Sequence, residues 1–334
     1  MSDIGNILKL LPPVISNDLL LKSYTELRYI REVETLIASK YSKQQFRCPV
    51  HLSIGQEAVA VGVSSNLKLD DKVVSTHRSH AHYLAKGGSL FRMFAELMGS
   101  PSGCCGGRGG SMHLFDDEVG FMASIPIVGS STPIASGLAY AEKRLGAGNV
   151  AVSFVGDAVL ETGVFYETMN LVALKGLPLL IVIEDNGYST YADKSVRVPK
   201  TREIEKLVQG IGLNFLSGNG DDVTEVAQIS HIALREVRRN VPFVLQFETF
   251  RRYEHCGPNI DDSLGYRTES ELDSYAQRDP LEVAKLKAFE SEYSSIEELS
   301  SVDILISEYV QGIYEDAVLS FEISIASLRK GSSI

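Results

Sequence analysis

VAVSFVGDAVLETGVFYETMNLVALKGLPLLIVIEDNGYS, residues 150–189, decides the fold. Residues 150–155 form an apolar run interrupted only by Ser153 and rich in valine, too short for a buried helix, and read as a buried strand. Gly156 and Asp157 follow. Residues 161–174 then carry Phe165, Met169 and Val172 at steps of three and four, the spacing of one helix face. Residues 179–184 (LLIVIE) make a second buried strand, followed by Asp185-Asn186-Gly187. Continuous apolar strands joined by a helix predict parallel neighbours in a sheet covered on both faces. A right-handed crossover ends both strands at one edge, so Asp157 and Asn186 are expected side by side where open α/β sheets bind ligands.

Working outward, residues 243–248 (FVLQFE) give a third strand after a helix around 223–237, and residues 72–75 a short strand leading into THRSHAHYLAKGG. Helices are expected over 18–40, over 56–67 and 133–143 (both rich in small residues that favour close packing), and over 89–98. The glycine-rich stretch from Gly99 to His113 reads as a loop that approaches a ligand or another backbone. Beyond Asp279-Pro280 the chain reads as helical, acidic and peripheral. No internal repeat or low-complexity linker divides it. The expectation is a single α/β domain over 1–334, with a mostly parallel central sheet, helices on both faces, an N-terminal helical segment (1–45) and a C-terminal helical region (280–334).

Composition narrows the function. The 334 residues are 44% hydrophobic and 22% charged, which fits a soluble globular protein and excludes disorder. No apolar run reaches the length of about 18 residues that a membrane span needs. The start, MSDIGNILKLLPPVIS, lacks the pattern of a secretory signal, and four cysteines (Cys48, Cys104, Cys105, Cys256) make no disulfide framework in so long a chain. A cytoplasmic location is expected. The net charge of −11 argues against nucleic acid as a partner.

The Asp157 carboxylate and Asn186 amide oxygen, with a nearby main-chain carbonyl, form a hard-oxygen half-shell of the kind magnesium completes with water and phosphate oxygens. The competing reading has Asp157 cap the next helix and Asn186 make a turn. The segment 156–163 has neither the G-x-G-x-x-G series nor a Walker lysine, so a nicotinamide or nucleoside triphosphate site has little support. Seven histidines (51, 77, 80, 82, 113, 231, 255) concentrate in loop-like segments, unlike scattered core histidines. The spacing of His77, His80, His82 and the adjacent Cys104-Cys105 is irregular and contains no C-x-x-C, which speaks against zinc. His51, in an apolar context, also reads as a hydrogen-bonded core residue, and His80 and His82 read as loop-orienting.

From the Gly-Asp pair to Asn186, twenty-nine residues later, the segment resembles the thiamine diphosphate motif of the alpha subunits of 2-oxo acid dehydrogenase decarboxylase components. That group comprises the pyruvate, branched-chain 2-oxo acid and acetoin dehydrogenases. PVHLSIGQEA (49–58), THRSHAHYLAKG (76–87), GRGGSMHLF (107–115), PIVG (126–129) and the later FRRYEHC and GYRT have counterparts in the same order, so the resemblance covers about residues 22–290. It implies a thiamine diphosphate-binding fold. It implies that Asp157, Asn186 and the main-chain oxygen of Tyr188 ligate Mg2+. His77 and Arg78 meet the cofactor diphosphate, Gly156 and the amides of Ala158 and Val159 lie against it, and Pro126 and Val128 touch the aminopyrimidine through their backbone. His255, on a mobile loop, stands near the reacting carbon, and His51 in the 2-oxo acid pocket. These two are the expected catalytic residues, with pKa values near the operating pH, and His255 and Asn186 are also expected to contact the cofactor.

The resemblance further implies oxidative decarboxylation of a pyruvate-like 2-oxo acid with acyl transfer to a lipoyl acyltransferase. It also implies a beta subunit that supplies the pyrimidine-activating glutamate in an alpha2-beta2 heterotetramer. Departures are Ala158 for the usual glycine, Pro126 for a frequent glycine, His77 for an aromatic or other residue, and Cys256 for the serine phosphorylated in mitochondrial pyruvate dehydrogenases. Phosphorylation control at that position is therefore not expected. Alternatives are an acetoin dehydrogenase-type enzyme, which THRSHAHYLAKG resembles more closely, or a decarboxylase or ligase without a lipoyl acceptor in secondary or polysaccharide metabolism. A noncatalytic cofactor-binding subunit is a further alternative.

Overall fold

The computed structural model describes residues 2, 3, 6, 7, 19–290 and 296–331. Most of the stretch before residue 19, part of the expected N-terminal helical segment, lies outside the described residues, as do 291–295 and 332–334 of the C-terminal region. The two strands expected from residues 150–189 are β3 (Ala151–Gly156) and β4 (Leu179–Asp185), joined in parallel from Ala151↔Leu179 to Gly156↔Glu184. The linking helix, α6, runs from Gly163 to Lys175; residues 157–161 form a tight 3-10 turn before it. β1 (Lys72–Ser75) pairs with the other side of β3, and β8 (Phe243–Glu248) with the other side of β4.

Two edge strands complete the sheet beyond the expectation: β2 (Phe121–Ser124) next to β1 and β7 (Asn214–Asn219) next to β8. The order is β2-β1-β3-β4-β8-β7 and every pairing is parallel. The edges escape a hydrophobicity reading for a physical reason. β7 (NFLSGN) is half exposed and polar, and β2 spans four residues, so neither shows the apolar run of a strand buried on both faces.

Alternate side chains enter two cores. Val74, Val155, Ile181 and Ile183 pack with Ala135 and Ala139 of α5 (Ser131–Leu145) and with Phe165, Met169 and Val172 of α6. On the other face, Val73, Val152, Phe154, Leu180 and Val182 meet α1 (Leu19–Tyr41), α2 (Glu57–Ser64) and α9 (Val223–Val237). The small residues of α2 have the expected consequence. A Cβ on Gly62 would fall 2.6 Å from Val226 Cγ1, so only glycine lets α2 lie so close to α9.

The C-terminal region needs correction. It is helical, but the long α12 (Ile296–Gly331) is not merely peripheral: Val302, Ile306, Val310, Tyr314 and Ala317 are buried in the main core. Tyr314 sits edge-on to Phe94 of α4 (Leu90–Met98) at 5.8 Å between ring centroids. Among the described residues no helix is long and apolar enough to cross a membrane.

Candidate active site

The strand order reverses direction between β1 and β3, and a cavity of about 230 Å³ opens at the carboxyl edge there. Such a reversal leaves a crevice because the following connections leave toward opposite faces. The cavity is lined by Gly156, the last residue of β3, and by residues that follow β1 (Thr76, His77, Arg78), β2 (Ile125, Pro126, Val128), β3 (Asp157, Ala158, Val159) and β4 (Asn186, Tyr188). His51, just before α2, and His255, in the connection after β8, close it. Every expected site residue therefore faces one space.

One wall is built of oxygen. Asp157, 5% exposed, accepts a hydrogen bond on Oδ2 from Arg197 Nη2 at 2.6 Å. Arg197 ends a short helix, α7 (Lys194–Arg197), that follows a two-stranded hairpin of β5 (Tyr188–Ser189) and β6 (Ala192–Asp193); it also pairs with Glu161. Burial pushes the Asp157 carboxyl upward from its ordinary value, and the Arg197 hydrogen bond acts against it. Asp157 thus caps no helix. Asn186 does make the turn: its Oδ1 accepts from Tyr188 N at 3.1 Å, while Nδ2 donates to Gln56 Oε1 at 3.2 Å. A Cβ on Gly156 would meet nothing within 4 Å, so the floor between the two residues is open.

The opposite wall is built of imidazole. Ring centroids of His51 and His77 are 4.7 Å apart, and each lies 5.2 Å from His255. Burial, then the neighbouring positive groups, lowers all three from the ordinary value near 6.5, to about 2 for His51, about 3 for His77 and about 4 for His255. The expectation of pKa values near the operating pH is therefore corrected: at pH 7 all three rings are neutral. His51 is 6% exposed and its Nδ1 is buried without a hydrogen-bond partner among the described residues, so it is not a satisfied core histidine.

Arg78 fixes this wall. Its Nη1 donates to Leu52 O and its Nη2 to His255 O at 2.9 Å, which ties the His51 segment to the His255 loop. Burial and the nearby Arg251 pull its pKa down to about 10. Arg251, also buried, donates from Nη2 to Thr190 O at 3.0 Å and to Tyr266 Oη at 2.8 Å.

His80 and His82 do not line the cavity. Both lie on α3 (His80–Ala85) and are buried. His80 Nε2 shares a 2.7 Å hydrogen bond with Ser111 Oγ, and His82 Nδ1 one of 2.8 Å with Ser75 Oγ, as loop-orienting residues should. Cys104 and Cys105 gather with Glu96 rather than with the histidines, so the structure assembles no His/Cys zinc set from these segments.

The family described as "Dehydrogenase E1 component" matches residues 25–320. The chain belongs to that family. It is 34% identical over 296 residues to the "Pyruvate dehydrogenase E1 component subunit alpha" of Rickettsia bellii, covering 88% of this chain and 90% of that protein. It is 33% identical over 304 residues to the chloroplastic alpha-3 subunit of pyruvate dehydrogenase E1 from Arabidopsis thaliana, at 89% and 70% coverage. With the alpha subunit of acetoin:2,6-dichlorophenolindophenol oxidoreductase from Cupriavidus necator it shares 30% over 305 residues, 91% and 90% of the two chains. It is thus an alpha-type chain of the dehydrogenase E1 component family, an oxidoreductase component.

Sequence reading of this E1 chain missed several cavity residues, chiefly Gln56, Glu184 and Arg251. Gln56 and Arg251 lie in motifs that the reading did quote, but a long polar side chain in a motif gives no sign of whether it points inward. Glu184, the penultimate residue of a fully buried strand, was the detectable one: a carboxylate in LLIVIE is costly unless the strand end is functional.

Proposed function

We propose that this alpha subunit decarboxylates a pyruvate-like 2-oxo acid oxidatively and passes the acyl group to a lipoyl acyltransferase, working as an alpha2-beta2 heterotetramer in the cytoplasm. The convergence of an oxygen wall and a histidine wall on one cavity at the sheet reversal carries this reading. The cavity suits the cofactor: a buried carboxylate and an amide oxygen stand at one strand edge, the floor above Gly156 is open, and Arg78 and Arg251 give a positive side.

Asp157, Asn186 and the main-chain oxygen of Tyr188 would hold Mg2+, since hard cations take oxygen ligands. For that, Arg197 must yield its place on Asp157. His77, Arg78, Gly156 and the amides of Ala158 and Val159 would receive the diphosphate. Two Arg78 nitrogens already serve Leu52 and His255, so its contribution is charge and loop placement more than a free bidentate fork. Pro126 offers a carbonyl but no N–H to the aminopyrimidine, and Val128 offers its backbone. Thiamine diphosphate, when bound, would supply a nucleophilic carbon and the electron sink that decarboxylation needs.

His255 and His51, neutral at pH 7, are placed to accept and return protons there. A substrate carboxylate beside Arg78 and Arg251 cancels part of their field and moves both imidazoles back up toward the working pH. Val128, a cavity-lining residue 49% exposed, and its neighbour Ile127, 69% exposed, support a beta subunit that covers this side. Calorimetry on the assembled alpha-beta complex should show Mg2+-linked uptake of thiamine diphosphate; its absence sinks the reading. An acetoin-type reaction is the second reading, favoured by the Cupriavidus relative. Product analysis with pyruvate, branched-chain 2-oxo acids and acetoin, with and without a lipoyl domain, separates the two and also detects a non-lipoyl decarboxylase or ligase. Retention of turnover after replacement of both His51 and His255 would indicate the noncatalytic alternative.

A further inference from the structure

We propose that His51, His77 and His255 form an inhibitory binding site for a borderline transition cation such as Zn2+, separate from the oxygen wall. One ring nitrogen from each histidine lies within 4.8 Å of the other two. Ligation of Zn2+ by three nitrogens at about 2.0–2.1 Å puts them roughly 3.4 Å apart in tetrahedral geometry, so the rings need to close by little more than an ångström. His255 sits on a loop connection and His77 on a turn after β1, where such a shift costs less than within a strand.

Two further features favour a metal. His51 Nδ1 is buried without a hydrogen-bond partner among the described residues, a donor atom the protein itself leaves unused. All three imidazoles are neutral at pH 7, so metal binding need displace no proton. The nitrogen set also selects: Mg2+ prefers oxygen ligands, whereas Zn2+, Co2+ and Cu2+ bind imidazole readily. Arg78 and Arg251 oppose added positive charge, which limits affinity and makes the fourth ligand an anion, hydroxide or a carboxylate. The site itself does not depend on the proposed reaction. Its inhibitory effect does, because occupancy takes up the two histidines assigned there to proton transfer.

The probe is Co2+, titrated into the assembled complex without thiamine diphosphate. The expected result is one equivalent per alpha chain with the intense visible bands of tetrahedral Co2+, bleached by Zn2+ and unaffected by excess Mg2+. His77→Phe and His255→Asn should each weaken binding at least about tenfold, while Asp157→Asn leaves the spectrum unchanged. Weak octahedral bands, full competition by Mg2+, or unchanged binding in both histidine variants would overturn the proposal. His255→Asn alters a loop residue, so the test survives if His77→Phe does not fold. The cofactor reading stands or falls separately, on Mg2+-linked uptake of thiamine diphosphate by the unaltered complex.

Discussion

The oxygen wall hangs on two central strands, while the histidine wall is gathered from three connections. β3 and β4 pair over six consecutive positions, and that ladder leaves Asp157 and Asn186 adjacent whatever the loops do. His51, His77 and His255 have no common element; Arg78 holds two of their segments together by hydrogen bonds to Leu52 O and His255 O. A Mg2+ site needs fixed oxygens, and strand ends supply them. Groups that exchange protons with a substrate need approach and withdrawal, which connections permit.

Asp157→Asn is the largest way to break this contrast. The side chain keeps its shape but loses the charge, and Mg2+-linked uptake of thiamine diphosphate should fall below detection by calorimetry. Uptake like that of the unaltered complex would remove the oxygen wall from the cofactor site. Next in size are His51→Ala and His255→Ala. Loss of a general acid–base group typically costs about 10²–10⁴-fold in turnover, and steady-state kinetics should show that loss in kcat while cofactor affinity changes far less. A matching loss of cofactor affinity would mean that the histidines hold the cofactor rather than serve the reaction.

The two walls were also unequally legible in the sequence. Apolar runs at 150–155 and 179–184 locate Asp157 and Asn186 by strand logic alone, because a strand buried on both faces has a distinctive composition. The histidine wall has no such local signature. Its members stand far apart in the chain, and only the family resemblance set His51 and His255 beside the cofactor. The edge strands β2 and β7 were lost because an edge is half exposed. The α12 contribution to the core was lost because its acidic residues mask a stripe of buried side chains from Val302 to Ala317. Arg197 on Asp157 belongs to neither class: nothing in the spacing of ADKSVR shows that its guanidinium turns back onto a strand end.

Loops need not be loose, and Glu96 sharpens the comparison on that point. Its buried carboxylate accepts from the backbone N–H groups of Cys105 (2.7 Å), Gly107 (2.8 Å), Gly109 (2.6 Å) and Gly110 (3.0 Å), and so moulds the glycine-rich stretch that delivers Met112 to the cavity. Glu96→Gln turns two acceptor lone-pair sites into donors facing N–H groups. Unfolding in urea should show a loss of about 2–3 kcal/mol, with faster proteolysis within residues 103–110. An unchanged midpoint would show that the loop is held by its own turns.

The smallest effect separates the histidine wall from everything else by acid. His51, His77 and His255 have folded pKa values lowered to about 2, 3 and 4, whereas in the unfolded chain they sit near 6.5. Between those limits the unfolded state binds more protons than the folded one, so stability rises with pH in that window. Their contribution is complete above about pH 6.5 and is lost progressively as pH falls toward about 4 and below. Asp157, with its carboxyl raised by burial, changes stability in the opposite sense at low pH, so the total curve is a compromise. Comparison of the parent with His77→Phe removes that ambiguity, because every other group is common to both. At pH 5.5, one unit below the unfolded value, the variant should have regained about 1 kcal/mol relative to the parent compared with their difference at pH 7.5. Parallel melting-temperature profiles across this range would mean that His77 is as well solvated folded as unfolded, and that the histidine wall is open to water rather than closed.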